Sequence, residues 1–379
     1  MLPLVNWLRP REAAMTRLLG QFVRAESPST DKAAVDRFGR MVAAEWRRRG
    51  AKVELLRQGV RGDHVRAEWN PSGNRARGQI LVLGHLDTVY GLGTLARMPS
   101  RVLRGRAYGP GALDMKGGLA IALFAIDALI GTGCVPHKRI IFLWTSDEEI
   151  GSGTSRAVIE REAGRSDAVL VLEPASGLEG CVKTGRKGVG EIEIIATGRA
   201  AHAGLNPEDG VNAIEEIALQ IVRISRWNQP SRGITVNAGV IEGGTRANVI
   251  PERARVIVDV RAERAGDMGA LERKFRALRP ILRGAKLQIH GGFNRPPMER
   301  KTSAALYATA KALARDMGVT LGEAYVGGGS DGNFTAALGV PTLDGLGAVG
   351  EGAHSPGENI VTRALPERAA LLAGLMTRI

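Results

Sequence analysis

Three short segments without a polar residue constrain the fold more than any other feature of the chain. They lie at residues 80–83, 140–144 and 168–172. Continuously apolar runs of this length are typical of strands that are buried on both faces of a parallel sheet. An apolar stretch of helical length, residues 118–130, separates the first two, and strand–helix–strand order favours right-handed crossovers. The sequence therefore predicts an α/β layer whose functional side chains gather at the carboxyl ends of its strands.

A second region, residues 184–297, has a different pattern. Its first segment alternates polar and apolar residues, as in a strand with one exposed face, and helical and strand periodicities follow. The predicted order β-α-β-β-α-β is the ferredoxin-like pattern. We therefore expect residues 184–297 to form an α+β domain inserted into an α/β domain made of residues 1–183 and 298–379. The predicted elements cover residues 188–198, 211–227, 233–241, 253–261, 262–278 and 285–290.

Composition and charge exclude several other classes of protein. The chain of 379 residues is 44% hydrophobic, which excludes a disordered chain, and its two cysteines, Cys134 and Cys181, exclude a disulfide scaffold. The net charge of +13 comes mainly from scattered arginines, and with only 4% aromatic residues no nucleic-acid partner is expected. The apolar stretch around Asp127 is shorter than the ~20 residues that span a bilayer. Because no signal-peptide pattern is visible, we expect a cytoplasmic protein that binds no membrane.

Histidine and acidic residues follow the predicted strands. His85 and Asp87 come after the first strand, and because residues two apart in an extended chain point the same way, Asp87 is placed to orient the His85 ring. Glu148 and Glu149 follow the second strand, where neighbours in an extended chain face opposite sides, so that one can bind metal while the other faces water. A solvated surface loop is the alternative there. The segments concerned are GHLDT (84–88), GPGALDMKGG (109–118), SDEEIG (146–151), VLEP (171–174) and GAHSP (352–356).

The combined set of side chains indicates a metal site. Asp114, near a helix start, is either a cap or a ligand, and Glu173 or His354 taken alone is more often structural. Together the segments supply two histidines and several carboxylates without a thiolate, a donor set that suits zinc, with cobalt or manganese as substitutes. A carboxylate shared by two such ions would make a two-metal hydrolase.

The five segments resemble, in order, the metal-site motifs of the dinuclear zinc aminoacylase/carboxypeptidase metallopeptidase family. That family includes glutamate carboxypeptidases, acetylornithine deacetylase and succinyl-diaminopimelate desuccinylase, and the resemblance is greatest to glutamate carboxypeptidase. It extends over essentially the whole chain. It implies a zinc-exopeptidase-like, mostly parallel sheet flanked by helices, with the ferredoxin-like insert as a dimerisation, or lid, domain. The segments that carry it are GHLDTV, GPGALDMKGG, TSDEEIGS, VLEP and GAHSPGE.

The resemblance also implies a role for each residue of the metal site. It implies two zinc ions, with Asp114 bridging them and followed by a cis peptide bond. Asp87 orients His85, and Glu148 is the general base that takes a proton from the attacking water and passes it to the leaving amine. The implied ligands are His85, Asp114 and Glu173 for one ion, and Asp114, Glu149 and His354 for the other.

In the inserted region, the resemblance implies residues that bind the substrate. His202, in RAAHAG, stabilises the oxyanion of the tetrahedral intermediate, and in dimeric members this histidine comes from the partner subunit. Read alone, it is a surface histidine. Arg261 grips the substrate carboxylate, for which the alternative is a salt-bridged strand end. The other implied contacts are Asn248, the backbone amides of Gly328, Gly329 and Ser330, and Arg295 for an acidic substrate side chain.

These observations predict a metal-dependent hydrolase that cleaves an amide bond next to a free carboxylate, foremost a glutamate-type carboxypeptidase that releases a C-terminal acidic amino acid. One position departs from the glutamate carboxypeptidase pattern, because Cys181 stands where a basic residue is expected, with Lys183, Arg186 and Lys187 nearby. Open alternatives are an N-acyl-amino-acid deacylase similar to acetylornithine deacetylase, a dipeptidase and, more distantly, a catalytically silent binding protein. The expected partners are a small-molecule or short-peptide substrate with a free carboxylate, and a second copy of the chain in a homodimer formed through the insert.

Overall fold

The chain forms two compact units. The first comprises Met1–Gly185, Glu299–Tyr325 and Ser330–Ile379, and the second comprises Arg186–Met298 and Val326–Gly329. The short segment Val326–Gly329 therefore clusters with the inserted region, although it lies beyond the predicted return of the chain to the α/β domain.

The computed structural model describes residues 1–379, apart from the Asn74 side chain. Its helices are α1 (Leu2–Leu8), α2 (Glu12–Arg24), α3 (Lys32–Arg48), α4 (Gly117–Thr132), α5 (Arg156–Ala163), α6 (Ala213–Ser225), α7 (Ala265–Arg276), α8 (Ala304–Asp316), α9 (Gly332–Ala337) and α10 (Leu365–Arg378). Its strands are β1 (Lys52–Leu56), β2 (His64–Trp69), β3 (Gln79–His85), β4 (Arg101–Leu103), β5 (Arg106–Tyr108), β6 (Arg139–Thr145), β7 (Ala168–Val171), β8 (Val182–Arg186), β9 (Gly188–Thr197), β10 (Ala201–His202), β11 (Thr235–Gly243), β12 (Val249–Ile250), β13 (Arg253–Ala262), β14 (Lys286–Arg295), β15 (Glu323–Val326), β16 (Thr342–Leu343), β17 (Gly350–Glu351) and β18 (Asn359–Val361).

The first unit is built around a six-stranded sheet in the order β1-β2-β6-β3-β7-β16. Strand β3 runs parallel to both β6 and β7, and β7 runs parallel to β16, whereas β1 and β2 are antiparallel. The three segments predicted as buried strands are β3, β6 and β7, and nearly every residue in them is buried. The predicted α/β class with a mostly parallel central sheet is therefore confirmed.

Helix α4 connects β3 to β6 and lies in the centre of the first unit. Apart from Asp127 and Thr132, its side chains are apolar on all sides, which is why it is almost entirely buried, with α1, α2 and α10 against it. It ends at Gly133, which adopts φ 68° and so closes the helix in the left-handed conformation that glycine allows. No helix among the described residues is both long enough and apolar enough to cross a bilayer.

The second unit contains a four-stranded antiparallel sheet in the order β11-β13-β9-β14. Helices α6 and α7 lie against it, and apolar residues of β9 and β13 pack with Phe275 of α7 to form its core. Asn212 accepts hydrogen bonds from the first amides of α6 and so begins that helix. Strand order and connectivity match the ferredoxin-like pattern that the sequence predicts.

Candidate metal centre and active site

The five residues predicted as metal ligands all lie in the first unit, at strand ends or in turns. His85 is the last residue of β3, and Glu173 stands two residues after β7. Glu149 lies in the short turn that follows β6, and His354 lies in the loop between β17 and β18. Asp114 lies in the turn that leads into α4, and its peptide bond to Met115 is cis, as the resemblance implies.

Asp114 lies between the two histidines. His85 Nε2 is 3.2 Å from Asp114 Oδ1 and 3.5 Å from Glu173 Oε1. His354 Nε2 is 3.3 Å from Asp114 Oδ2 and 3.3 Å from Glu149 Oε2. One carboxylate thus turns one oxygen toward each histidine, and each histidine faces a second carboxylate. This is the arrangement that a carboxylate shared by two cations needs.

The donor atoms fit a bound cation. Two groups of three side chains, His85–Glu148–Glu173 and His85–Asp114–Glu149, each place their candidate ligand atoms within 4.8 Å of one another. Glu149 Oε1 is buried and has no hydrogen-bond partner among the described residues, which is costly for a carboxylate oxygen unless a cation satisfies it. Imidazole nitrogens with carboxylate oxygens suit zinc, cobalt or manganese.

The protonation of these groups reflects how closely opposite charges are held together. Burial lowers the pKa of His85, but its contacts with Asp114, Asp87 and Glu173 outweigh this effect and hold it well above the ordinary value. Hydrogen bonds to Asp114 and Glu149 raise the pKa of His354 to about 10. Burial raises the pKa of Glu149. Burial also acts to raise the pKa of Asp114, but the hydrogen bonds with His354 and His85 outweigh this effect and hold the Asp114 pKa far below its usual range. The carboxylates thus attract positive charge strongly, as a divalent cation site must.

Asp87 supports both His85 and the turn that carries Glu148 and Glu149. Its buried carboxylate accepts the backbone N–H groups of Glu148 at 3.3 Å and Glu149 at 3.2 Å. His85 Nδ1 lies 2.9 Å from the Asp87 carbonyl oxygen and 3.5 Å from its Oδ1, so the backbone of Asp87 is the nearer of the two acceptors. The expectation that Glu148 and Glu149 alternate as in a strand is wrong, because both lie in a 3-10 turn, Glu148–Ile150, that Asp87 holds.

Two buried residues that the sequence analysis did not single out contact this cluster. Ser29 Oγ donates to Asp87 Oδ2 at 2.7 Å, and no sequence pattern near Ser29 predicts this bond. Glu358 accepts the backbone N–H of Asp114 at 3.0 Å. It stands at the end of the GAHSPGE segment, four residues after His354, so the motif itself contained a signal for it.

In the second unit, His202 lies at the surface on the two-residue strand β10, which pairs with β12. Its Nδ1 accepts the backbone N–H groups of Gly204 and Leu205, each at 3.1 Å. A ring nitrogen that accepts hydrogen bonds carries no proton, so in the neutral ring the proton resides on Nε2. Asn248 is exposed beside this loop, and its carbonyl oxygen accepts the N–H of Ala203 at 3.0 Å.

Arg261 is already engaged within the second unit. Its Nε and Nη2 donate to the two carboxylate oxygens of Asp259 at 2.9 and 3.1 Å, and its Nη1 donates to the carbonyl oxygen of Gly327 at 2.8 Å. The salt-bridged strand end, which was the alternative for this residue, is therefore present. Three of the five guanidinium N–H groups are used in these bonds, and two are left for a ligand.

Arg186 holds the glycine-rich loop, residues 328–330, and Arg295 lies close to it. Arg186 Nη1 donates to the carbonyl oxygens of Gly328 and Gly329, each at 3.1 Å. Arg295 is buried at the end of β14, and a Cβ atom on Gly329 would lie 2.9 Å from its Cδ, so a larger residue at position 329 would require the Arg295 side chain to shift. Ser330 belongs to the first unit, where its backbone N–H donates to Asn333 Oδ1 at 2.8 Å and is thus already bonded.

Comparison with known proteins identifies the family. Peptidase family M20/M25/M40 matches residues 81–378. Carboxypeptidase G2 from Pseudomonas sp. (strain RS-16) is 32% identical over 372 residues, which cover 96% of this chain and 89% of the relative. Succinyl-diaminopimelate desuccinylase from Dechloromonas aromatica is 28% identical over 316 residues, or 78% and 82% of the two chains. The solved structure of aminopeptidase PepT from Bacillus cereus has the same fold, with a TM-score of 0.80 at 22% identity over 97% of this chain and 98% of that one. The resemblance drawn from the five segments is confirmed, and the chain belongs to peptidase family M20/M25/M40, a family of metal-dependent hydrolases.

Proposed function

We propose that the chain is a two-metal hydrolase that cleaves an amide bond beside a free carboxylate and, as a glutamate-type carboxypeptidase, releases a C-terminal acidic amino acid. The observation that carries this proposal is the Asp114 carboxylate, which turns one oxygen toward His85 and the other toward His354. The near full-length likeness to carboxypeptidase G2 supports the substrate class.

In this proposal the two cations are zinc, for which cobalt or manganese can substitute. When bound, such cations act as Lewis acids on the scissile carbonyl group and lower the pKa of a water molecule. Their donors are nitrogen and oxygen only, and the orphaned oxygen of Glu149 gains a partner. The residues that would hold them are His85, Asp114 and Glu173 for one ion, and Asp114, Glu149 and His354 for the other.

Glu148 would move the proton. Its carboxylate takes a proton from the water that attacks the carbonyl carbon, and it gives this proton to the amide nitrogen as the C–N bond breaks. Its carboxylate lies within 4.8 Å of the candidate ligand atoms of His85 and Glu173, so it borders the reacting centre. Asp87 would keep the Glu148 turn in place through the two backbone bonds described above.

The second unit would bind the substrate. His202 would donate its Nε2 proton to the developing oxyanion, because its Nδ1 is already occupied by two amides. Arg261, Asn248 and the backbone amides of Gly328 and Gly329 would bind the free carboxylate, and Arg295 an acidic substrate side chain. We propose that residues 184–297 serve as the lid and dimerisation domain of a cytoplasmic homodimer, and residues 1–183 with 298–379 as the catalytic domain.

The test is a release assay with metal-loaded protein on aryl-glutamates, dipeptides and N-acyl amino acids. We expect chelator-sensitive release of glutamate that falls at least ~100-fold in Glu148→Ala, with Glu54→Ala, an exposed glutamate on β1, as the matched control. Preferred release of an acyl group from N-acyl amino acids would favour a deacylase instead, an alternative that the desuccinylase relative supports. Two bound metal equivalents without turnover would refute the substrate class, and absence of metal binding would refute the whole proposal.

Whether His202 acts within its own chain or across a dimer is tested by mixing two inactive variants. Hybrid dimers of His202→Ala and Glu148→Ala contain one site with both wild-type residues only if His202 is supplied by the other subunit. Recovery of activity on mixing would indicate action across the dimer, and no recovery would indicate action within one chain.

A further inference from the structure

One buried carboxylate joins the turn of Asp114 to the rest of the centre. Glu358 has no exposed surface. It accepts the backbone N–H groups of Leu113 at 2.7 Å, Asp114 at 3.0 Å and Gly111 at 3.3 Å. Three bonds from one turn to one carboxylate leave that turn little freedom, since charge-assisted hydrogen bonds are shorter and stronger than neutral ones.

The same carboxylate reaches the segments that carry both histidines. The Tyr90 hydroxyl lies 2.6 Å from Glu358 Oε2 and 3.1 Å from the carbonyl oxygen of Ser355. Tyr90 follows β3, whose last residue is His85, and Ser355 is the neighbour of His354. Glu358 therefore connects three segments that are far apart in the sequence, and each of them contributes a candidate metal ligand.

We infer that Glu358 is the positioning residue that sets the spacing of His85, Asp114 and His354, and thereby the affinity for both cations. The inference rests on the proposed function, because it concerns the same metal centre. Glu358 touches neither substrate nor cation in this scheme, since it is fully buried and bonds to backbone amides and a phenol. Residues that orient metal ligands from behind typically change metal affinity about 10- to 100-fold when they are lost.

The second unit offers a matched control. Glu216 of α6 is also fully buried, and it accepts the backbone N–H groups of Ile281 at 3.0 Å and Leu282 at 2.7 Å. It therefore does the same chemistry as Glu358, but the turn that it holds carries no candidate ligand. A change that acts only through general stability should affect the two residues alike.

The experiment measures metal binding rather than turnover. Calorimetric titration with zinc and the visible spectrum of the cobalt-loaded protein are recorded for the wild type, E358Q, E358D and E216Q. Glutamine keeps the shape of the side chain and removes its charge, whereas aspartate keeps the charge and cannot reach all three amides. We expect E358Q and E358D both to lose about 10- to 100-fold in zinc affinity and to change the cobalt spectrum, and E216Q to behave as the wild type.

Three results would overturn the inference while leaving the proposed function standing. The first is wild-type zinc affinity and cobalt spectrum in both Glu358 variants. The second is wild-type behaviour of E358D alone, which would mean that only the charge of residue 358 matters. The third is a loss of zinc affinity in E216Q equal to that in E358Q. If E358Q does not fold, Y90F decides, because it keeps the amide bonds to Glu358 and removes the two contacts of the Tyr90 hydroxyl, to Glu358 and to the Ser355 carbonyl oxygen. We expect a smaller loss of zinc affinity with a shifted cobalt spectrum, and an unchanged spectrum would refute the inference. A wild type that binds no metal would instead overturn the proposed function.

Discussion

Gly117→Ala is the most informative single substitution near the centre, because two principles predict opposite signs for it. Gly117 is the first residue of α4 and has helical φ −59° and ψ −40°, so helix propensity alone favours alanine by up to about 1 kcal/mol. A Cβ atom there would lie 2.7 Å from Ala348 Cβ and 2.8 Å from the carbonyl oxygen of Ala112. Neither neighbour is the end of a flexible side chain.

The magnitude follows from these distances. Real Cβ atoms essentially never approach closer than 3.0 Å, and most keep 3.4 Å, so the backbone must move by about 0.3 to 0.7 Å. Overpacking of this kind costs about 1–3 kcal/mol. After the propensity gain of about 1 kcal/mol is subtracted, a net loss of up to about 2 kcal/mol remains. Because Ala112 begins the turn that holds Asp114, a shift of this size is comparable to the ~0.5 Å within which active sites hold their groups, and it reaches a candidate ligand. We expect kcat/KM to fall at least about tenfold.

Urea unfolding of the metal-free protein, followed by tryptophan fluorescence, measures the change in stability of each unit, because Trp46 and Trp144 are buried in the first unit and Trp227 packs edge-on against Phe275 of α7 in the second. Gly269→Ala in the middle of α7 is the control, because its nearest neighbour would be the flexible Arg273 Nη1 at 3.4 Å. We expect the control to gain up to about 1 kcal/mol without a change in activity. A Gly117→Ala protein that is stabilised like the control, or that keeps full activity, would refute the packing argument.

Three further outcomes are expected. Ser29→Ala leaves Asp87 Oδ2 without its hydroxyl donor and should lower the free energy of unfolding by about 1–2 kcal/mol, which urea unfolding would detect and Ser29→Thr should partly restore. Chelation should lower the melting temperature in calorimetry, because free metal at 100 times its Kd contributes about 2.7 kcal/mol per site, and an unchanged melting temperature would contradict the metal assignment. Burial lowers the pKa of His64 below 6.5. As the pH falls below 6.5, the His64 side chain therefore becomes protonated in the unfolded chain before it does so in the folded chain. The free energy of unfolding should then fall by up to about 1.4 kcal/mol per pH unit, and urea curves at pH 5 and 7 should show a smaller pH dependence in His64→Gln.

The sequence pattern predicted those parts of the fold in which burial determines composition. Strands β3, β6 and β7 are apolar because both faces of each are covered, and this pattern is visible without a structure. Strand β2 was not predicted, because it contains Arg66 and Glu68. Arg66 pairs with Glu68 at 3.2 Å and with Glu162 at 3.1 Å, and the second partner lies on α5, so the chain alone gives no sign that these charges can be accommodated.

In the candidate site, too, the local features could be predicted from the sequence and the long-range contacts could not. The segments that hold the candidate ligands could be predicted, because each contains a histidine or an acidic residue in a recognisable motif. The residues that support these ligands could not, because they depend on contacts between distant parts of the chain. Ser29 bonds a residue 58 positions away, and Glu358 bonds one 244 positions away. The pairing of Arg261 with Asp259 spans only two positions, and it was accordingly among the alternatives that the sequence offered.

Two buried acidic residues next to the metal centre, Asp87 and Glu358, have the same structural role. A turn that presents a carboxylate to a cation has backbone amides that no helix or strand satisfies, and buried amides need acceptors. Asp87 accepts the amides of Glu148 and Glu149, and Glu358 accepts those of the Asp114 turn. Each such acid adds negative charge next to the carboxylate ligands, so bound cations stabilise the arrangement. Metal affinity and the order of these turns should therefore change together. A substitution that keeps the charge, such as E358D, separates the effect of ligand placement from the effect of charge better than any change to a ligand itself.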